Sequence, residues 1–296
     1  MPEQKPFYRL NRHEWALMAI TMLWGITFLI VRNALTVSGP LFIVAFRFGF
    51  AALLISLISL PILRDITRTE IFAGMAIGLS LFVGYALQTV GLQWISASKS
   101  AFITAFYVPT VPLLQWLFLH RPPHFMAWLG IACAFVGLIC LAGPDGVSLG
   151  FSKGELVTVV SALVMAVEIV LISFFAGKVS VRRVSIVQAG FTSILAFIFM
   201  PLTGESIPEF SWLLAGAVLA LGLTSALVQF VMNWAQKSVT PTRATVIYAG
   251  EPVWAGIFGR MAGERLPIIA LLGGILIVLG VLISELRLGK GKSRPV

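Results

Sequence analysis

Apolar residues in this chain run in blocks of about 20, set apart by short clusters of charge and turn residues. A helix of that length crosses a hydrocarbon core of ~30 Å. Ten such blocks are predicted as spans, at 14–32, 39–63, 70–93, 98–118, 124–142, 153–174, 184–203, 210–233, 243–260 and 266–286. The breaks carry turn chemistry: Ser38-Gly39-Pro40, Pro122-Pro123, Gly143-Pro144-Asp145-Gly146 and Thr240-Pro241. They leave no room for a soluble domain. The first block is too long for a signal-peptide core and has no evident cleavage site, so it is expected to stay as a span.

Composition agrees with the pattern. Hydrophobic residues make up 58% of the 296 and charged residues only 11%, against roughly 25% charge in a soluble domain. The net charge of +9 does not call for a nucleic-acid partner, because its distribution explains it. Fifteen of the 21 Lys and Arg fall on one side of the ten spans and five on the other, leaving Arg47 inside span 2. The basic side is expected to be cytoplasmic. An even number of spans places both tails there, at 1–13 and 287–296. Cys133 and Cys140 lie seven apart on one apolar block, away from His13, His120 and His124. They read as buried packing residues, and no metal or cofactor is implied.

The two halves resemble each other. Glu14–Trp24 aligns with Glu155–Met165, and Ser98–Leu114 (SKSAFITAFYVPTVPLL) with Pro241–Ile257 (PTRATVIYAGEPVWAGI). In the second register Pro109 matches Pro252, Gln93 matches Gln236, Gly130 matches Gly273 and Gly137 matches Gly280. Five spans is an odd number, so the second repeat must enter the membrane upside down. The expected fold is therefore an all-α integral membrane protein. Its ten transmembrane helices form two inverted five-helix repeats, 14–143 and 152–286, around a central cavity. In such architectures the substrate site lies near the midplane, between the repeats.

Within those segments Leu23–Arg32 (LWGITFLIVR), Ala45–Leu53 (AFRFGFAAL) and Tyr248–Leu266 (YAGEPVWAGIFGRMAGERL) resemble the drug/metabolite transporter superfamily, specifically its EamA-type ten-helix exporters. The likeness extends over nearly the whole chain. It implies a ten-helix basket exporting small metabolites, with the YddG-type exporters of aromatic and other amino acids as the nearest match. Two positions depart from the family pattern. Leu119–Pro123 (LHRPP) stands where Gly-Glu is common, and Met165 where a Trp is common.

Polar groups inside an apolar span supply the candidate chemistry. Each ionised side chain at the bilayer centre costs about 2.5–3.5 kcal/mol on insertion scales, so it must face protein or water. Glu251 sits beside Pro252, whose ring frees a backbone carbonyl one turn earlier, near Tyr248. Its repeat counterpart has Pro109 and Pro112. Paired interruptions of this kind point to a transport site. Glu251 could bind an ammonium or a proton, or could pair with an arginine for structure alone. Glu168, mid-span in the sixth block, could do the same or make a helix–helix hydrogen bond. Gln88 and Gln229 are polar amides that line a cavity or bond between helices. Gln115, Gln188 and Asn233 raise the same choice. Trp24, Tyr85, Tyr107 and Tyr248 lie deep enough to cradle an apolar side chain, or simply to pack. Arg47, near the start of span 2, could receive a carboxylate, snorkel or pair. The predicted substrate-binding set is Trp24, Tyr85, Gln88, Tyr107, Glu168, Gln229, Tyr248 and Glu251.

Other classes fare worse. Gly289–Ser293 (GKGKS) looks like a P-loop tail, but the motif's first glycine would fall at Leu286. No HExxH or GxSxG motif supports an intramembrane enzyme, although an enzyme acting on a lipid-soluble substrate stays the alternative class. Carriage of drugs, nucleosides or sugars is the alternative cargo. The working expectation is a monomeric secondary exporter in a bilayer, moving an amino acid or similar small molecule.

Overall fold

The computed structural model describes residues 11–119, 125–142, 152–265 and 267–285. The basic tails, the loop holding His120, Arg121, Pro122-Pro123 and His124, and the Gly143–Gly146 turn lie outside those residues. All regular structure among the described residues is helical. The helices are α1 Arg12–Ala34, α2 Pro40–Ile58, α3 Arg68–Gly91, α4 Ala97–Thr104, α5 Tyr107–Leu119, α6 Phe125–Ala142, α7 Lys153–Phe175, α8 Val181–Leu202, α9 Trp212–Ala235, α10 Pro241–Tyr248, α11 Gly250–Met261 and α12 Ile268–Glu285. A 3-10 turn at Leu60–Asp65 follows α2, so span 2 ends earlier than its hydropathy suggests, just ahead of Pro61. Spans four and nine are each split in two, as α4–α5 and α10–α11. Seven spans are long and apolar enough on their own to cross a membrane: α1, α2, α3, α4 with most of α5, α7, α8 and α9.

The helix ends are cut by local chemistry. Asn11 with Glu14, Thr67 with Glu70, and Ser152 with Glu155 form capping boxes that open α1, α3 and α7. Glu14 and Glu155 are the residues aligned between the repeats, and each also pairs with a cation at the start of a facing helix. Glu14 meets Arg243, and Glu155 meets Lys99. Gly204 (φ 75°) and Gly263 (φ 89°) stop α8 and α11 in the left-handed region, which glycine adopts without strain. The residue after each glycine is a glutamate that caps another helix across the bundle. Glu205 accepts from the Leu41 and Phe42 amides of α2, at 3.0 and 2.7 Å. Glu264 accepts from the Ala97 and Ser98 amides of α4, at 2.9 and 3.0 Å.

Packing follows the repeat. Most extensive contacts run between halves rather than within them, and they come in pairs related by exchange of the halves. α3 on α7 matches α9 on α1, α3 on α8 matches α9 on α2, and α5 on α7 matches α11 on α1. The self-equivalent pairs α2–α8 and α6–α12 also touch. This is the two-fold relation of two inverted five-helix units.

Glycines set the closest approaches. Gly74 and Gly78 of α3 receive α8 at Val187 and Gln188. Gly130 and Gly137 of α6, and Gly273 and Gly280 of α12, are buried where these equivalent helices meet. Cys133 and Cys140 of α6 are free thiols and half-buried rather than buried. A Cβ on Gly78 would stand 2.7 Å from the Gln188 carbonyl oxygen, a backbone atom that cannot swing aside. Gly78→Leu is therefore expected to cost about 1–3 kcal/mol by overpacking. Thermal unfolding of the purified variant in detergent would show this as a lowered midpoint.

Large apolar side chains face outward, among them Leu53, Leu57, Phe72, Leu79, Phe174 and Leu223, as a lipid-facing surface requires. Trp15, Trp94 and Trp212 lie exposed at helix ends, in the interface-belt position. Trp234 instead packs its ring 4.2 Å from that of His13.

Candidate functional site

The two broken spans define the centre. α4 ends at Thr104 and α5 begins at Tyr107, while α10 ends at Tyr248 and α11 begins at Gly250. In each case a proline, Pro109 or Pro252, falls in the first turn of the new helix. No intrahelical donor is lost there, so the proline fixes where the second half can start. Two half-helix amino ends, the positive ends of their helix dipoles, thus sit at corresponding places in the two repeats. Glu251 lies in the first turn of α11, where that dipole favours a carboxylate. Tyr107 opens α5, and its hydroxyl donates to Glu251 Oε2 at 3.1 Å. The contact joins the repeats at the breaks.

Around this contact the aromatic residues close into one cluster. Trp24 Nε1 donates to the Tyr85 hydroxyl at 2.8 Å. The Trp24 ring meets Tyr248 edge-on at 5.6 Å, and Tyr248 meets Tyr107 at 6.4 Å. Tyr85 lies within electrostatic reach of both Glu168 and Glu251, and Tyr248 within reach of Glu168. Gln236 Nε2 donates to the Tyr248 hydroxyl at 3.2 Å, leaving its own buried Oε1 without a partner among the described residues.

Glu168 is 2% exposed and accepts from Gln229 Nε2 at 3.2 Å. A chain of amides leads away from it. Gln229 Oε1 accepts from Gln188 at 2.8 Å, and Gln188 Oε1 accepts from Asn233 at 3.2 Å. Asn233 also donates to Ser185 Oγ at 3.2 Å. The chain joins α7, α9 and α8, and ends one turn inside the start of α8.

Seven of the eight predicted residues therefore share this centre: Trp24, Tyr85, Tyr107, Glu168, Gln229, Tyr248 and Glu251. Gln88 stands one turn beyond Tyr85 on α3. It is engaged by Thr104 at 3.1 Å and by the Met165 sulfur at 3.9 Å. All eight are buried, so the centre is occluded in this conformation. Glu251 does not take an arginine partner among the described residues; its partner is Tyr107. Arg47 neither snorkels nor forms an ion pair there. It is 2% exposed in the core, because it is the eighth residue of α2, two turns in from a start whose amides are covered by Glu205. Gln115 accepts from Thr242 Oγ1 at 2.7 Å, tying α5 to α10. Gln236 and Ser185 were not predicted; both lie at helix ends, where hydropathy marks a polar residue as ordinary.

Both ends of the bundle are fastened. At the end where α1 starts and α12 finishes, Glu14 meets Arg243, and Glu70 holds Arg183 Nε and the Ser180 amide, both at 2.9 Å. At the opposite end Glu264 binds Arg32 at 2.5 Å and Ser98 Oγ at 2.6 Å, besides its two backbone donors. Partial burial would raise the Glu264 pKa. The bonds from Ser98 and Ala97, with the Arg32 charge, outweigh it and hold the group below the ordinary carboxylate value.

A ten-span bundle of inverted repeats, with broken helices meeting at a polar, aromatic midplane and ties at both mouths, is the build of a membrane transport protein. A profile of the EamA-like transporter family matches residues 13–143 and again 152–286. The chain belongs to that family, within the drug/metabolite transporter superfamily. An uncharacterized transporter of Archaeoglobus fulgidus is 28% identical over 272 residues, covering 92% of this chain and 85% of its own. The uncharacterized inner membrane transporter YedA of Escherichia coli K12 is 27% identical over 303 residues, with 95% and 93% covered. YoaV of Bacillus subtilis, also named an uncharacterized transporter, is 23% identical over 300 residues, with 93% and 97% covered. A solved crystal structure, described only as that of a protein, shares the fold at a TM-score of 0.70. It is 18% identical and covers 93% of this chain and 98% of its own.

Proposed function

We propose that the protein exports amino acids, aromatic ones among them, across a bacterial inner membrane by alternating access, with both termini cytoplasmic. The resemblance to the YddG-type exporters supports that cargo. The observation that carries the reading is the pair Glu168 and Glu251. Each is 2% exposed, mid-span, and among the described residues bonded to neutral groups only. A carboxylate held this way is costly unless it gains a cation during the working cycle. A substrate ammonium or a proton is such a cation. The neighbouring Trp24, Tyr85, Tyr107 and Tyr248 offer flat apolar faces to a side chain. Loose holding suits export, since release must be fast. The two inverted units, 14–143 and 152–286, rock about the midplane, and the ties at the two mouths open in turn. The chain works as a monomer and changes no bond in its cargo.

The test is a panel of labelled amino acids, nucleosides and drugs offered to purified protein in vesicles, with and without a proton gradient. The reading expects amino acids to move unchanged and aromatic ones to compete best. Movement of nucleosides or drugs alone would replace the cargo. A chemically altered product would replace the class.

A further inference from the structure

We infer that Arg47 is the docking point for the carboxylate group of the transported solute, an inference that rests on the amino acid reading above. The observation is a guanidinium in the core without a counter-ion among the described residues. Arg47 belongs to the middle turns of α2 and is 2% exposed. Its Nε donates to Ser225 Oγ of α9 at 2.9 Å. The terminal Nη1 and Nη2 amino groups make no hydrogen bond to any described residue, and no carboxylate of those residues lies within ion-pair distance of them.

What holds the cation is aromatic. Its central carbon stands 4.8 Å from the Tyr85 ring centre and 5.1 Å from that of Phe48. Two ring faces and one hydroxyl lessen the cost of burial but do not replace an anion. They leave its paired terminal donors unused among the described residues. That edge matches the two oxygens of a carboxylate, which arginine receives through two parallel bonds.

The placement suits a zwitterion. Tyr85 feels the charge of Arg47 as well as those of Glu168 and Glu251, so one cation and two carboxylates act on a single side chain. A solute whose carboxylate meets Arg47 directs its ammonium toward the acidic side, with its side chain among the rings. Arginine here then reads a chemical group, not size. Ser225 acts as a positioning residue that orients the guanidinium through Nε.

The experiment compares ligands that differ only in that group. On the wild type in detergent, binding of L-phenylalanine, L-phenylalaninamide and phenethylamine is followed by intrinsic tryptophan fluorescence. Loss of a charge-assisted bidentate pair should weaken the amide and the amine by roughly 10- to 100-fold. Arg47→Gln and Arg47→Lys are then compared in vesicles. Gln should lose phenylalanine transport and the discrimination together, while Lys should retain part of both. Equal binding of acid and amide to the wild type, or Arg47→Gln discriminating as the wild type does, would overturn the inference. Because the ligand comparison uses the wild type, it decides even if a variant fails to fold. If phenylalanine binds and moves but the amide binds as well, only the role of Arg47 falls. If no amino acid binds or moves, the amino acid reading and this inference fall together.

Discussion

Replacing Glu168 and Glu251 together with glutamine is expected to reduce solute movement in vesicles by at least ~10-fold, the scale of one lost charge-assisted contact, while the protein still folds. Glutamine keeps the shape and can still accept the bonds now given by Gln229 Nε2 and the Tyr107 hydroxyl. What it removes is the capacity to hold a cation. Folding should be preserved or improved, since two carboxylates without ionic partners are a burden on the resting structure. The single variants separate the roles. The carboxylate that meets the ammonium raises KM when replaced, and one that carries a proton flattens the pH dependence instead. Transport by the double variant at the wild-type rate from about pH 5.5 to 8, a range in which ordinary carboxylates stay ionised, would remove both residues from the cycle.

The second large effect is expected at the mouth opposite the chain termini. Glu264 caps α4, binds Ser98 Oγ and pairs with Arg32. Glu264→Ala leaves those donors at a helix start without a carboxylate, at a cost of about 2 kcal/mol. Midpoints of thermal unfolding should fall, and the mouth should open more readily, raising exchange of solute from that side. The acid dependence follows from the sign of the shift. The folded-state pKa lies below the ordinary value, so the contribution is complete above about pH 4.3, the ordinary Glu value. It is lost as pH falls through the lower folded-state value. Wild type and variant should thus converge in stability only under acid conditions. A gap unchanged by acid would mean the carboxylate's charge is not what holds the mouth.

The sequence was informative about elements and much less so about partners. Ten apolar blocks place the spans because a membrane admits few lengths and demands continuous apolarity. The breaks were legible for a similar reason: Pro109 and Pro252 can only begin a helix segment, never continue one unaided. That Glu251 meets Tyr107, or that Gln229 meets both Glu168 and Gln188, depends on which helices touch. Uniformly apolar helices carry no face pattern that would say so. Arg47 shows this most clearly. Its position near the start of a span suggested an interfacial residue, whereas the Phe48 and Tyr85 rings that keep it inside lie next to it and 38 residues away. The Gly-Glu pairs teach the converse. Gly263-Glu264 stood out as part of a family resemblance, and its physical meaning is a helix stop followed by a cap for a neighbour. Gly204-Glu205 does the same for α2 without having stood out. The departure at Leu119–Pro123 concerns the corresponding place in the first repeat. The helix start equivalent to that of α4 in the second repeat, that of α10, is capped by its own Thr240 side chain, at 3.4 Å from the Arg243 amide.

The central claim is that the midplane cluster can be reached from each side of the membrane in turn. Thiol labelling tests it most directly. Gln229→Cys is made in a background carrying Cys133→Ser and Cys140→Ser and sealed into oriented vesicles, and a membrane-impermeant maleimide is applied to one face at a time. Labelling from either face, slowed by phenylalanine, is the expected result. Labelling from neither face under conditions of active transport would contradict the account.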